Sequence, residues 1–263
     1  MKNKKVIKIL LIILLPALAG YFLYISFNVN VDDQKVALTP SVNPQLTPVF
    51  ITPRITSMFT PVPTPTPEPG SVLMQNVPFT PQAPFGEWSD QRQQDACEES
   101  SVLMAVSWAR GENFNLDEAL NKILAVSDWE KENYGSFQDT SAEDTIERII
   151  KGYFKYHNVR LVKNVKLDDL IRELEDGNII ISPMNGQLLG NPYFTSPGPE
   201  RHMLVVIGYD YNTEEFITND PGTRHGEEYR YDRHIFFNAI RDYTTGEHEP
   251  IIGVQKNFIV VEK

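Results

Sequence analysis

Hydrophobic and polar residues change their spacing several times along the chain after residue 70. In five segments the apolar residues recur every three or four positions, which is the pattern of a helix with one buried face. These predicted helices are residues 95–110, 116–126, 141–157, 167–175 and 232–243. Four apolar runs predict strands: "NIIIS" after Gly177, "MLVVIGYD", "EEFITND" and the terminal "NFIVVEK". Helices mostly first and strands later predict an α+β domain with an N-terminal helical part and a C-terminal antiparallel sheet.

The first 27 residues follow a different pattern. Residues 1–8 contain four lysines, and residues 9–27 form an uncharged, mainly apolar run of 19 residues. A helix of that length spans about 28 Å, close to the hydrocarbon thickness of a bilayer. We therefore expect a transmembrane signal anchor that keeps its lysines in the cytoplasm and places the rest of the chain outside. The alternative is a signal peptide removed after Ala17-Leu18-Ala19.

Residues 28–70 are expected to be a linker. Nine prolines and seven threonines lie between residues 39 and 70. Proline has no amide donor and fixes the backbone, so this composition is typical of an extended, semi-rigid stalk. A proline-rich ligand for another domain and an O-glycosylated segment are the alternatives. Residues 71–263 then have the length of one domain.

The charge of this domain limits its partners. Beyond residue 70 the chain has 18 Lys and Arg against 32 Asp and Glu. An acidic surface repels phosphate backbones, so nucleic acid is not an expected partner. No group of His and Cys residues has the spacing of a metal site, and no cofactor or metal is predicted.

The chain has one cysteine, Cys97, in the stretch "QRQQDACEESSVLMAVSWARG". Asp95 and Glu98 have the spacing of a capping box, which predicts a helix start with Cys97 in its first turn. Unpaired N–H groups and the helix dipole favour a thiolate at this position. Cys97 is therefore a candidate nucleophile. The alternative is a small buried apolar side chain, the commonest role of a free cysteine.

Among the five histidines, His202 is unusual because it begins a nearly continuous apolar strand. The chain is expected to turn near residues 211–214 and to form a hairpin. That hairpin would bring Asp220 beside His202 on the same face of the sheet. The aspartate could then orient the imidazole toward a thiol, as in nucleophilic catalysis. Asp220-Pro221-Gly222 is also ordinary turn sequence.

Acyl transfer further requires a hydrogen-bond donor for the oxyanion that forms on the attacked carbonyl. Gln91 lies six residues before Cys97 in a segment predicted to be non-helical, and its amide could point to the same helix end. Gln93 and Gln94 are nearer in sequence, and composition does not rank the three. A surface glutamine that contacts only water is the alternative for each.

The order Gln91, Cys97, His202 before "MLVVIGYD", and Asp220 in "NDP" resembles cysteine peptidase family 39 over residues 71–263. This family comprises the bacteriocin-processing leader peptidases and their single-domain relatives. The resemblance implies a papain-like fold with Cys97 as nucleophile, His202 as base, Asp220 as orienting acid and Gln91 as oxyanion donor. Glu98 departs from the family, whose members commonly have glycine there. No ATP-binding cassette or exporter domain follows, so the leader-peptide substrate does not carry over.

These features predict a membrane-tethered, extracytoplasmic cysteine peptidase with a monomeric catalytic domain and a peptide or protein substrate. Residues 184–201 are expected to form a loop over its cleft. One alternative is a catalytically silent papain-like module that binds peptides or cell-wall glycopeptide, and another is an acyltransferase or transpeptidase using the same thiol. Glu98 is either a harmless cap or the sign of an inactive site, since a neighbouring carboxylate raises a thiol pKa.

Overall fold

A computed structural model describes residues 71–263 of the protein. The predictions for residues 1–8, 9–27 and 28–70 therefore lie outside the described residues. Between residues 71 and 263 no helix combines the length and the apolar character needed to cross a bilayer.

The helices and strands of this part follow one another in mixed order. The helices are α1 (Gln91–Gln94), α2 (Cys97–Arg110), α3 (Leu116–Tyr134), α4 (Ala142–Asp144), the π-helical α5 (Thr145–Tyr153), α6 (Leu167–Glu175), α7 (Gly186–Leu189) and α8 (Arg233–Ala239). The strands are β1 (Val72–Met74), β2 (Val159–Lys163), β3 (Ile179–Met184), β4 (His202–Asp210), β5 (Glu215–Asn219), β6 (Tyr229–Asp232) and β7 (Asn257–Val261).

The strands form one antiparallel sheet in the order β2-β7-β3-β4-β5-β6, and β1 pairs with the far end of β4. The predicted combination of helices with an antiparallel sheet is confirmed. The helices do not all precede the strands, however, because β2 lies between α5 and α6. The sequence of β2, "VRLVK", carries charges because β2 is an edge strand that pairs only with β7. Such a strand lacks the apolar run by which the central strands were predicted.

Helices cover both faces of the sheet, which produces two hydrophobic cores. Ile179 and Ile181 of β3 pack with α2, α3 and α5 on one face, whereas Ile180 packs with α6 and α8 on the other. Strand β4 alternates in the same way between Val205 and Val206. Because successive side chains of a strand point to opposite faces, a strand buried on both faces is apolar throughout. This explains the uninterrupted run "MLVVI".

Helix α2 is buried along most of its length, from Cys97 to Trp108, and ends at Gly111 in the left-handed conformation. Its predicted start at Asp95 and its predicted capping box are wrong. Asp95 instead ends the short helix α1, where its N–H donates to the Gln91 carbonyl. Ala96 precedes the first turn of α2 and makes no side-chain cap. Cys97 is therefore the first residue of α2.

The predicted hairpin of β4 and β5 is present. Val205 pairs with Asn219, and the pairing shifts by one residue at a bulge between Val206 and Gly208. Strand β1 pairs with β4 at this bulge, where Met74 lies opposite Gly208, so that a Cβ on Gly208 would lie 2.2 Å from the Leu73 carbonyl oxygen. Only glycine fits this close approach. The bulge lies on the turn side of the pair, so it leaves the placement of His202 and Asp220 unchanged.

Candidate active site

A cleft of about 1130 Å³ opens at the N-terminal end of α2. Cys97 and His202 both line it, although Cys97 is only 8% exposed and His202 only 1%. Residues 193–195 and 198–201 form one wall. The loop predicted over residues 184–201 thus borders the cleft, although its first part contains the short helix α7.

His202 is held by Asp220 at one of its two ring nitrogens. The His202 Nε2 atom lies 2.7 Å from Asp220 Oδ1, so the contact expected from the hairpin is present. The other ring nitrogen, Nδ1, makes no hydrogen bond within the described residues. Phe194 packs edge-to-face on the ring with its centroid at 5.2 Å. A Cβ on Gly222 would lie 2.8 Å from His202 Cε1, so a glycine there keeps space for the imidazole.

Asp220 is fully buried and has a complete set of donors. Its Oδ2 accepts from the Tyr231 hydroxyl at 2.6 Å, and its Oδ1 accepts from the Gly222 N–H at 3.0 Å. Asn191 in turn donates from Nδ2 to the Tyr231 hydroxyl at 2.7 Å. Burial by itself would raise the pKa of Asp220, but His202 and the donated hydrogen bonds lower it below its usual value. The carboxylate therefore stays ionised beside the imidazole.

Cys97 lines the cleft and also contacts a carboxylate. Its Sγ donates to Glu98 Oε2 at 3.0 Å, and Glu98 Oε1 accepts from the Tyr243 hydroxyl at 2.6 Å. Burial, followed by the charge of Glu98, raises the pKa of Cys97 well above its usual value. The sequence-based expectation of a lowered thiol pKa is thus wrong for this arrangement. The first reason is that the sulfur is buried, and the second is that Glu98 turns inward toward the sulfur and Tyr243 instead of capping α2.

A hydrogen-bond donor for an oxyanion is available where α2 begins. The backbone N–H of Cys97 has no backbone acceptor within the described residues, as expected for the first residue of a helix. Gln82 is buried and lines the cleft. Its Nε2 donates to the carbonyl oxygens of Gln93 at 3.1 Å and Gln94 at 2.7 Å. These two residues lie at the end of α1, shortly before Cys97. Gln82 thereby joins the wall of the cleft to the end of α1.

Gln91 is not brought to the site. It is exposed at the first position of α1 and does not line the cleft, because the segment expected to be irregular forms a helix that turns this side chain outward. Of the two alternatives, Gln93 is buried outside the cleft lining, and Gln94 is exposed but lines the cleft. Gln82, which the sequence analysis did not consider, is the buried glutamine of the cleft.

The four other histidines are all exposed. Two of them still line the cleft: His225 stacks on Tyr193 at 4.4 Å between ring centroids, and His248 Nδ1 lies 3.0 Å from Asp139 Oδ2. Asp139 also lies 3.6 Å from the Arg201 guanidinium. Among residues 71–263 no three His, Cys, Asp or Glu side chains are arranged to hold a metal ion.

Comparison with known proteins identifies a family. No curated protein matches the chain. A solved structure described as a "putative C39-like peptidase from Bacillus anthracis" is 16% identical with a TM-score of 0.48, over 73% of this chain and 98% of that one. The model of the Peptidase_C39 like family matches residues 74–246, which include Cys97, His202 and Asp220. The protein therefore belongs to the Peptidase_C39 like family.

Proposed function

We propose that the protein is a papain-like cysteine peptidase in which Cys97, His202 and Asp220 form the catalytic triad. One observation carries the proposal. Cys97 and His202 line the same cleft, and Asp220 binds His202 Nε2 so that Nδ1 is left to exchange a proton with the thiol. A base oriented by a third group and placed beside a nucleophile is the arrangement of acyl-transfer enzymes. Membership of the family supports the same activity.

In the proposed reaction His202 Nδ1 takes the Cys97 proton as the sulfur attacks a peptide carbonyl. The electron pair of the carbonyl moves to its oxygen, and the Cys97 N–H stabilises the resulting oxyanion. The amine leaves with the proton from His202. Water then attacks the thioester with His202 as base, which releases the acid and restores the thiol. Asp220 stabilises the imidazolium in both halves of the cycle.

The full chain incubated with a mixed peptide library tests this function. We expect new peptide termini, read by mass spectrometry, that depend on His202. His202→Ala retains the thiol and serves as the control, because it removes the base and leaves the nucleophile. Products joined to an added amine instead of water would assign a transferase. A library that is bound but left uncut by the native chain would refute both and assign a binding module.

Gln82→Ala is expected to lower kcat by about tenfold to a hundredfold. The substitution removes the two hydrogen bonds that fix the segment before Cys97. Gln91→Ala is the matched control, since Gln91 is exposed and lies outside the cleft. A loss of kcat in Gln91→Ala together with a normal Gln82→Ala would restore Gln91 as the oxyanion donor.

The proposed location is the outer face of a membrane. It is supported by the uncharged run of residues 9–27 after four lysines. The full chain should stay in the membrane pellet after a high-salt wash, whereas a chain without residues 9–27 should be soluble. A soluble mature protein that begins at Gly20 would show a cleaved signal peptide instead.

A further inference from the structure

The sulfur of Cys97 has a hydrogen-bond partner that the proposed mechanism leaves unused. Glu98 Oε2 lies 3.0 Å from the sulfur, and the Tyr243 hydroxyl, 2.6 Å from Oε1, holds the carboxyl in this orientation. Glu98 is 2% exposed, and Tyr243 is 4% exposed. The contact is therefore shielded from water. A carboxyl group there can either accept a proton from the thiol or donate one to a thiolate.

The groups that face Glu98 are mostly carboxyl groups. Asp139 faces it from the segment after α3 and lies 3.0 Å from His248 and 3.6 Å from Arg201. Burial raises the pKa of Glu130 on α3 and of Glu99 on α2, which favours their neutral forms. Burial, followed by the charge of Asp139, raises the pKa of Glu98 to about 7, although hydrogen bonds from Cys97 and Tyr243 act in the opposite direction. No cation among the described residues forms an ion pair with Glu98. Its carboxyl group consequently changes charge near neutral pH.

We propose that Glu98 is a catalytic residue that controls the nucleophile through its own protonation. Neutral Glu98 donates its O–H to the Cys97 thiolate, and ionised Glu98 accepts the S–H and keeps the sulfur as a thiol. Tyr243 is the positioning residue that aims the carboxyl group at the sulfur. The inference deepens the proposed peptidase function, on which it rests.

In this control of the nucleophile, Glu98 exchanges one proton with solvent, and the other proton moves between Cys97 and His202. At lower pH Glu98 takes up one proton from water and keeps it, while the proton of the thiol moves to His202 Nδ1. The result is a thiolate and imidazolium pair with a neutral carboxyl group hydrogen-bonded to the sulfur. When Glu98 loses its proton at higher pH, a negative charge faces the sulfur, and the thiolate recovers its proton from His202. Ionised Glu98 thus makes the thiolate less populated than it would be beside a neutral group at the same pH.

The rate of alkylation of the full chain by iodoacetamide, measured between pH 5 and 9, tests this directly. It reports on a single thiol, because the chain has one cysteine. Because ionised Glu98 raises the thiol pKa, we expect the ratio of the Glu98→Gln rate to the native rate to increase about tenfold between pH 6 and pH 8, which corresponds to one unit of thiol pKa. In Glu98→Gln the amide donates to the thiolate at every pH, so the profile of this variant should lack the change near pH 7.

Glu99→Gln is the matched control. Glu99 is also buried on α2, but it binds the Ser127 hydroxyl at 2.9 Å instead of the sulfur. This variant should keep the native profile. Tyr243→Phe provides a second variant if Glu98→Gln fails to fold. It removes a hydrogen bond that stabilises the Glu98 carboxylate, so the change in the rate profile should move to higher pH.

Two results would overturn the role of Glu98. One is the same pH dependence of the alkylation rate in the native protein and in Glu98→Gln. The other is a profile of Glu99→Gln that differs from the native profile as much as that of Glu98→Gln does. Peptide hydrolysis is read separately. A protein with the expected alkylation profile and no hydrolysis would refute the peptidase function and retain Glu98 as the control of the thiol. Peptide hydrolysis by the native protein, together with identical alkylation profiles of the native protein and Glu98→Gln, would refute the role of Glu98 and retain the peptidase function.

Discussion

Cys97→Ala should lower peptide hydrolysis by at least about a thousandfold, because it removes the atom that would form the bond to the substrate carbonyl. The same substitution should abolish labelling by thiol-directed electrophiles, since no second cysteine exists in the chain. The fold should persist. Alanine retains the Cβ at the start of α2, and the rest of the buried helix is untouched. Initial rates, labelling by mass spectrometry and circular dichroism together measure the three effects.

Ser100→Ala is the matched control for Cys97→Ala. Ser100 lies one turn further along α2, is fully buried, and its hydroxyl has no hydrogen-bond partner within the described residues. Its truncation removes a buried atom without reaching the cleft, so activity and labelling should be retained. Hydrolysis that survives in Cys97→Ala would mean that another group, or water alone, attacks the substrate. The triad would then have to be abandoned.

Glu130→Gln should stabilise the domain most strongly at alkaline pH. Glu130 is fully buried on α3, and neither of its carboxyl oxygens has a hydrogen-bond partner within the described residues. Burial, followed by the charge of Glu98, raises its pKa from 4.5 to about 9. Since the folded-state pKa is raised, folding takes up a proton between these values. The contribution to stability is complete below pH 4.5 and is lost as the pH rises toward 9.

At pH 8 the gain in the free energy of unfolding for Glu130→Gln should be about 5 kcal/mol, because this pH lies about 3.5 units above the usual pKa of 4.5 and each unit is worth about 1.4 kcal/mol. At pH 5 the gain should be only about 1 kcal/mol, since the native carboxyl group is neutral in the fold and still about a quarter protonated when unfolded. Guanidinium unfolding of residues 71–263 at both pH values measures the difference. Glu132→Gln, an exposed substitution on the same helix, is the control. Equal gains at pH 5 and pH 8 would show that Glu130 is not a buried neutral acid.

Elements with strong periodicity were predicted closely from the sequence. Helix α6 was predicted from Leu167 to Glu175, as observed, and the central strands β3, β4, β5 and β7 all lie where apolar runs were found. The hairpin of β4 and β5 also brings His202 to Asp220. Edge strands β2 and β6 were missed, because an edge strand half in contact with water has no uniform apolar pattern.

The site residues that the sequence analysis missed all reach the site through long-range contacts. Tyr231 contacts Asp220 only because β6 pairs with β5, and Tyr243 reaches Glu98 from 145 residues away in the chain. Gln82 lies 15 residues before the cysteine, farther along the chain than the three glutamines considered as oxyanion donors. The only available signals were the alternation in "YRYD" and the lead-in "NVPFTPQAPF". Neither specifies a partner.

The sequence by itself determined the α+β class, the central strands, the single thiol and the pairing of His202 with Asp220. These follow from spacing within one helix, one strand or one hairpin, where local geometry decides which side chains meet. Only the tertiary structure decided which groups surround the sulfur. A capping box and an inward-facing Glu98 are both compatible with "DACE", and the choice depends on Tyr243, which arrives from the far end of the chain. The chemistry of Cys97 is therefore set by burial and by distant neighbours, which local sequence does not encode.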